Sequence, residues 1–386
     1  MKKVLALMLA AVMALSLCAC GSGSDEKANE IKIGGIGPLT GQYANYGLSV
    51  QHGAEIAIKE INEAGGMNGM QIVFSMQDSQ GDPEAAVSAY GKLIDWGMNA
   101  SIGTVLSGEM ASVVNASAND NMFMISASAS ADKCLEGSSN AFRICFYDSY
   151  QGIAAANYVA ENLPGKKVAV FYQSDLDYSA GLYESFAAEC KVKGIEIVDV
   201  QSFLSTDTDY TAQINALVDS QAEIIFLPIY AAEASVFLTQ AKNGTASAVF
   251  AEGTYFFGAD GLDGILTKVS NASEANNVLM LTPFAGESSS DAKVSGFVKK
   301  YKEAYGAAPD QFAADGYDAI YAIKAAVEKA GYTKAADIKG EGLSAALVQV
   351  SLEGVTGDMK WQANGNTDKS AMAIIYKDGN GTVFGE

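Results

Sequence analysis

Residues 31–36 read IKIGGI, residues 53–66 GAEIAIKEINEAGG and residues 70–76 MQIVFSM. A short β-rich apolar run, an amphipathic stretch and a second β-rich run in that order make a β-α-β unit. In the middle segment Ala54, Ala57, Ile58 and Ile61 stand at offsets 0, 3, 4 and 7, one face of a helix. The pattern repeats outward from there. Pro83 opens another helix in its first turn and Gly97 follows its end, and further β-rich runs are ASIGTV from 100, MFMIS from 122, KKVAVFY from 166, IEIVDV from 195 and EIIFLP from 223. Alternation of this kind argues for parallel sheets covered by helices.

The first series of units ends near Asp148, and a second begins with QGIAAANYVAEN at 151–162 and the strand at 166. Two doubly wound lobes are therefore expected, which agrees with a chain of 386 residues at about 100 to 200 residues per domain. Residues 290–330 read as mainly helical. The tail after Gly354 has hairpin character, with an Asp-Gly turn at 378–379. Such late segments can return to the first lobe and then complete the second.

The first twenty residues, MKKVLALMLAAVMALSLCAC, carry two lysines, an apolar run and a pair of cysteines, the form of a secretory signal. Leu17 at −3, Ala19 at −1 and Cys20 at +1 resemble a bacterial lipobox, so Cys20 is expected to become a lipid anchor and residues 21–30 a flexible tether. The expected location is outside the cell membrane, attached to its outer or periplasmic face. Export permits a disulfide between Cys134 and Cys145, whose intervening LEGSSNAFRI reads as a loop entering a strand. Cys190, in FAAEC, reads as a small buried apolar residue.

Composition and motif content narrow the function. With 45 Asp plus Glu against 25 Lys plus Arg, a net charge of −20 makes nucleic acid an unsuitable partner. The loop Gly35-Ile36-Gly37-Pro38-Leu39-Thr40-Gly41 misses the dinucleotide fingerprint because its third glycine comes one residue late. His52 is the one histidine and no G-x-S-x-G occurs, so neither a triad nor general acid-base chemistry is expected, and the chain reads as no enzyme. Asp175/Asp177 and Asp207/Asp209 lack the calcium-loop pattern and read as loop and capping acids. Neither a metal nor a cofactor is expected.

What remains is a set of polar and aromatic residues at the carboxyl ends of successive strands, where open α/β sheets bind ligands. These are Tyr46, Ser107, Ser128, Ser130, Tyr178 and Tyr230, with an acid that is either Asp260 or Glu252. Hydroxyls and helix-start N–H groups suit a carboxylate, a buried acid suits an ammonium, and tyrosines wall the rest of a small ligand. The set describes a site for a zwitterionic amino acid.

The stretches IKIGGIGPLTGQYANYG, GAEIAIKEINEAGGMNG, DSQGDPEAAVSAYGKLID, NAFRICFYDSYQG, FLPIYAAEASVFLTQA, ADGLDGIL and QFAADGYDAIYAIKAAVEKAG resemble the substrate-binding proteins of branched-chain amino acid ABC transporters, the Leu/Ile/Val-binding protein family with the type I periplasmic-binding fold. The resemblance spans nearly all of residues 31–380. It implies two α/β lobes joined by three crossover strands, the first made of 31–148 and 282–355 and the second of 149–281 and 356–386. It implies that Ser107 and the loop of Ser128, Ala129 and Ser130 hold a ligand carboxylate, that Tyr46, Tyr178 and Tyr230 line the pocket, and that Asp260 or Glu252 meets the ammonium. It also implies a monomer that hands its ligand to a membrane permease driven by a separate ATPase, since no GxxxxGK followed by Ser or Thr exists here. Departures from the family pattern are Leu106, Gly108-Glu109 and Ala127. If Glu109 is not a harmless first-turn helix acid, amides, aromatic acids or other small carboxylates become alternative ligands. Independently of that, the same pocket in a protein that presents its ligand to a sensory receptor is an alternative.

Overall fold

The computed structural model describes residues 29–242, 249–284 and 286–384. The leader at 1–20, Cys20 and the tether through residue 28 lie outside them. The chain first lays down β1 (Glu30–Gly37), β2 (Gln71–Asp78), β3 (Ala100–Thr104), β4 (Met124–Ser126) and β5 (Ala141–Arg143), all parallel and ordered β2-β1-β3-β4-β5. A second sheet follows from β6 (Val168–Gln173), β7 (Ile197–Phe203), β8 (Ile224–Leu227), β9 (Tyr255–Gly258) and β10 (Val278–Thr282). Its parallel part, read from its β7 edge, is β7-β6-β8-β9-β10, the same winding as the first. Short apolar runs buried on both faces produce the central strands, as in β8, where all four residues are buried, while the edge strands β2 and β7 are only partly covered.

The connecting helices are α1 (Ala44–Glu63), α2 (Pro83–Trp96), α3 (Ser107–Ala116), α4 (Asp148–Asn162), α5 (Asp177–Lys193), α6 (Thr211–Asp219) and α7 (Ala231–Lys242). The predicted face of α1 is the buried one: Ala54 and Ala57 are fully buried and Ile58 and Ile61 nearly so. Helix α2 starts and stops where its sequence says it should, with the Asp82 carboxylate accepting from the Ala85 N–H at 2.7 Å and Gly97 left-handed at φ 82°.

Helices α8 (Ala292–Tyr305), α9 (Gln311–Ala330) and α10 (Gly340–Leu347) then return to the first sheet. Helix α9 lies against α1 so closely that a Cβ at Gly53 would strike the Ala313 carbonyl and one at Gly316 the Val50 carbonyl. The hairpin β11 (Ser351–Gly354) and β12 (Gly357–Lys360) packs on α9, where the Asp318 carboxylate accepts from the Val355 and Thr356 N–H groups. The expected change of lobe at 355–356 falls inside this hairpin, so the chain leaves the first lobe only after Lys360. Antiparallel β13 (Met372–Lys377) and β14 (Asn380–Val383) complete the second sheet beside β10, joined by Asp378 and Gly379 at φ 50° and 80°.

The chain thus passes between the lobes three times: through 144–147, between Thr282 and Ala292, and through 361–371. The third is pinned by Lys369, which is 4% exposed and donates to Asp315 of α9 at 2.7 Å. The disulfide expected between Cys134 and Cys145 is not formed, and both thiols are free and buried. The Cys134 thiol instead turns into the first lobe's core and donates to the Ala129 carbonyl at 3.4 Å. Burial pushes its pKa up to about 11, which keeps it protonated. Cys190 is likewise a buried free thiol.

Candidate functional site

Because both sheets wind in the same order, each has a switch point where connections leave in opposite directions, between β1 and β3 and between β6 and β8. The carboxyl ends of the two sheets meet across a cleft of about 250 Å³ lined by Tyr46, Val105, Leu106, Ser128, Ser130, Tyr178, Tyr230, Asp260, Gly261 and Phe312. Six of the nine residues predicted from sequence line it; Ser107, Ala129 and Glu252 do not.

The second lobe supplies the acid. Asp260 follows β9, is 3% exposed and accepts from the Tyr178 hydroxyl at 2.8 Å. The same hydroxyl accepts from the Gly261 N–H at 2.9 Å, and the Asp260 N–H donates to Gln151 at 3.1 Å. Burial is the main cause that raises the Asp260 carboxyl to about 7, against the pull of these hydrogen bonds. Glu252, the other candidate, sits in an exposed turn before β9 and takes no part in the cleft. The turn precedes the strand, so it lies at the sheet's far end from the ligand edge.

Tyrosines form the walls. Tyr178 and Tyr230 stack with centroids 4.7 Å apart, while Tyr46 meets Phe312 at 4.7 Å edge to face. Tyr46, near the start of α1, also latches the lobes together: its hydroxyl donates to the Gly261 carbonyl at 2.7 Å and accepts from the Ala231 N–H at 2.8 Å. Gln311 adds a bond from its side-chain amide to the Asp260 carbonyl at 3.3 Å. The lobes are closed on each other.

The first lobe presents the serine loop between β4 and β5. Ser128 donates its hydroxyl to the Val105 carbonyl at 2.7 Å, and the Ala129 N–H donates to Ser126 at 2.9 Å. Ser107 stands behind the loop, its oxygen accepting from the N–H groups of Ser130 at 3.2 Å and Ala131 at 3.1 Å. Glu109 does not point to solvent as a helix-start acid should. It turns inward and accepts from the Ser79 hydroxyl at 2.6 Å and more weakly from the Leu106 N–H, with burial pushing it up to about 7. It caps α3 from within and does not line the cleft.

Sequence reasoning missed several participants. Asp148 opens α4 fully buried, and neither carboxylate oxygen has a hydrogen-bond partner among the described residues. Burial, followed by the charge of Asp260, raises it well above the ordinary carboxyl range, although the nearby Ser130 hydroxyl eases its ionisation. Its signal was present in the stretch FYDSYQG, an acid at a helix start directly after the first crossing. Phe312 and Gln311 had no local signal, because they reach the cleft only through the return of α9. Elsewhere, Asp175 accepts from Ser205 and Asp209 from Thr211, which makes them loop acids, and His52 stacks on Tyr305 at 3.8 Å away from the cleft.

A family model for periplasmic binding proteins matches residues 30–381. The Leu/Ile/Val-binding protein homolog 3 of Brucella melitensis is 30% identical over 310 residues, 79% of this chain and 80% of its own. A Leu-, Ile-, Val-, Thr- and Ala-binding protein of Pseudomonas aeruginosa is 27% identical over 360 residues, 92% of each chain. Among solved structures, the branched-chain amino acid transporter substrate-binding protein LivJ of Streptococcus pneumoniae, in complex with isoleucine, is 30% identical with a TM-score of 0.82, covering 92% of this chain and 99% of that one. A solute-binding protein of R. palustris in complex with benzoate shares the fold at 22% identity and a TM-score of 0.80. The relatives are substrate-binding proteins rather than enzymes. The two like-wound lobes, the cleft at their facing switch points and a family match over nearly the whole chain together show that this protein belongs to the periplasmic binding protein family, in its type I fold.

Proposed function

We propose that the protein captures a small α-amino acid with an apolar side chain, of the branched-chain kind, and delivers it to a membrane permease powered by a separate ATPase. The observation that carries this reading is the buried acid of the cleft, Asp260, with a second buried acid, Asp148, near it. Asp260 is buried in the cleft wall and no cation pairs with it among the described residues, while Asp148, buried outside the lining, feels the charge of Arg143 without forming an ion pair. Buried carboxylates without a counter-ion are costly, and a ligand ammonium supplies the missing charge. An aromatic acid lacking an amine would bring a carboxylate and no cation to the buried acid and is disfavoured.

The ligand carboxylate then faces the serine loop and the start of α3, where hydroxyls and unpaired helix N–H groups favour an anion. Its side chain lies among Val105, Leu106, Tyr230 and Phe312. Capture begins on the first lobe, and hinge closure through the three crossings brings Tyr178, Tyr230 and Asp260 over the ligand. Export under the leader, a lipid anchor at Cys20 and a monomeric state complete the proposal; no helix among the described residues is long and apolar enough to cross a membrane.

Calorimetric titration of ligand-stripped protein with the twenty amino acids, then with benzoate and small amides, tests it. Tight binding of a branched-chain amino acid, abolished by Asp260→Ala and unchanged by Glu252→Ala, is expected. Silence toward every amino acid, or loss through Glu252→Ala, would sink the reading.

A further inference from the structure

Arg143 is the single arginine of the chain and is completely buried at the end of β5. Its backbone is fixed from the third crossing, by the Arg143 N–H to the Gly365 carbonyl at 3.0 Å and by the Trp361 indole N–H to the Arg143 carbonyl at 2.8 Å. Its guanidinium takes two neutral partners in place of a carboxylate: Nη1 donates to the Ser130 carbonyl at 2.5 Å and Nη2 to the Ala131 carbonyl at 3.1 Å, while Nε has no partner among the described residues. Holding a loop by two carbonyls does not require a permanent charge. The Arg143 charge reaches the buried Asp148, whose N–H shares the Ser130 carbonyl with Nη1, but no carboxylate forms an ion pair with it among the described residues, so the charge calls for a further complement.

The hydrogen bonds run from the guanidinium toward the cleft. In a trans peptide the C=O and the next N–H point in opposite directions. With the Ser130 carbonyl drawn to Arg143, the Ala131 N–H faces the other way and donates to the Ser107 oxygen at 3.1 Å; the Ser130 N–H donates to the same oxygen at 3.2 Å. A serine hydroxyl has two lone pairs and one proton. Both lone pairs of Ser107 are thereby engaged, and its proton has no acceptor among the described residues. A cation at one end of such a chain polarises each bond after it, strengthening the last donor. Ser107 is also the first residue of α3, so its hydroxyl and the helix-start N–H groups act on the same anion.

We propose that Arg143 is a positioning residue for the ligand carboxylate, acting through the Ser130–Ala131 peptide to make Ser107, which stands behind the serine loop next to the lining residue Leu106, a one-way, charge-reinforced donor toward it. This rests on the amino acid reading above. It predicts that Arg143 is felt by the ligand's carboxylate and not by its ammonium or side chain.

The experiment measures L-leucine and L-leucinamide binding by calorimetry to the wild type, Arg143→Met, Arg143→Lys, Ser107→Ala and the Arg143→Met/Ser107→Ala double variant, with melting curves for each. Leucinamide keeps the amine and the side chain but carries no anion. Arg143→Met should weaken leucine about tenfold or more and leucinamide by less than about twofold, the scale of one charge-assisted hydrogen bond. On the Ser107→Ala background it should cost leucine less than about twofold further, since the two residues act as one unit. Arg143→Lys, which keeps the charge and can reach one carbonyl, should lose less than Met; if Arg143→Met does not fold, the leucine-to-leucinamide comparison is read on Arg143→Lys. Equal losses on both ligands, or additive losses in the double variant, overturn the proposal and leave Arg143 a purely structural residue. A wild type that binds leucine not at all defeats the amino acid reading itself, a result distinct from either.

Discussion

Replacing Asp260 with asparagine should make the ligand-free protein more stable while abolishing its binding. Burial moves this carboxyl from 3.8 to about 7, so at pH 8 it is held ionised in a place that disfavours the charge. At about 1.4 kcal/mol per pH unit, that penalty is roughly 4 kcal/mol. The amide keeps an oxygen for the Tyr178 hydroxyl and removes the charge, though it is a weaker acceptor, which takes back about 1 kcal/mol. The wild type can also escape the penalty by opening its lobes and wetting the carboxylate, so the observed gain cannot exceed the cost of opening. A gain of about 1 to 3 kcal/mol at pH 8 is therefore expected, together with a shift of the free protein toward the closed form. The sign with pH is fixed: a raised acid costs stability above its unfolded pKa, so the gain should shrink as pH falls through 7 and be largely gone near pH 4. Thermal melts across pH 4 to 8 measure the stability, small-angle scattering measures closure, and leucine affinity should fall by more than about a hundredfold through loss of a buried charged partner. An Asp260→Asn protein that melts lower at pH 8, or that gains equally at pH 4 and pH 8, would refute the reasoning.

Four other outcomes follow from the same geometry. Leucine affinity of the wild type should weaken as pH falls below about 7, by up to about tenfold per pH unit, because the ammonium must displace a proton from Asp260; calorimetry in buffers of different ionisation heat should show proton release, and a flat profile from pH 5 to 7 would contradict it. Tyr46→Phe removes the hydroxyl that joins Gly261 and Ala231 and strands the Ala231 N–H, so ligand dissociation should speed up about tenfold in stopped-flow measurements. Lys369→Met leaves Asp315 buried and unpaired, and should cost about 3 to 5 kcal/mol in urea unfolding, more at pH 8 than at pH 5, where Asp315 can take up a proton. Adding dithiothreitol should leave Tm unchanged, because Cys134 and Cys145 are free; a disulfide would reveal itself by a loss of about 2 to 5 kcal/mol.

The strands and helices were legible because their signals are local. The runs at 100, 166 and 223 are continuous enough to mark buried strands, and Pro83 and Gly97 punctuate α2. Most of the cleft was legible too, since strand ends in an open parallel sheet are where side chains converge, which placed Tyr46, Tyr178, Tyr230 and Asp260. Distance along the chain hid the rest. Phe312 enters through α9, and nothing in QFAADG says which end of that helix meets the first sheet's edge. Glu252 and Asp260 differ only by which side of β9 they flank, and the strand YFFG is too short to show its bounds without its neighbours. The cysteine pair misled because spacing carries no direction: Cys134 turns under the Ala129 carbonyl, into the core. Arg143 stayed hidden because a lone arginine in an apolar run reads as an interruption until its two carbonyl partners are seen.

The return of α8, α9 and α10 to the first sheet, and of β13 and β14 to the second, has a consequence for how the chain becomes a protein. Helix α1 meets α9 only after some 250 further residues have been made, and the second sheet closes on a hairpin within the last fifteen residues. Neither lobe is an early-folding unit, and contacts of such long sequence separation form slowly. A nascent chain that stops short of α9 leaves the α1 face of the first sheet uncovered, and one that stops short of β13 leaves β10 as a bare edge. The order of the segments thus postpones the stable globule until almost all of the chain is available, a delay that suits a polypeptide that must stay loose enough to be threaded through a membrane before it may fold.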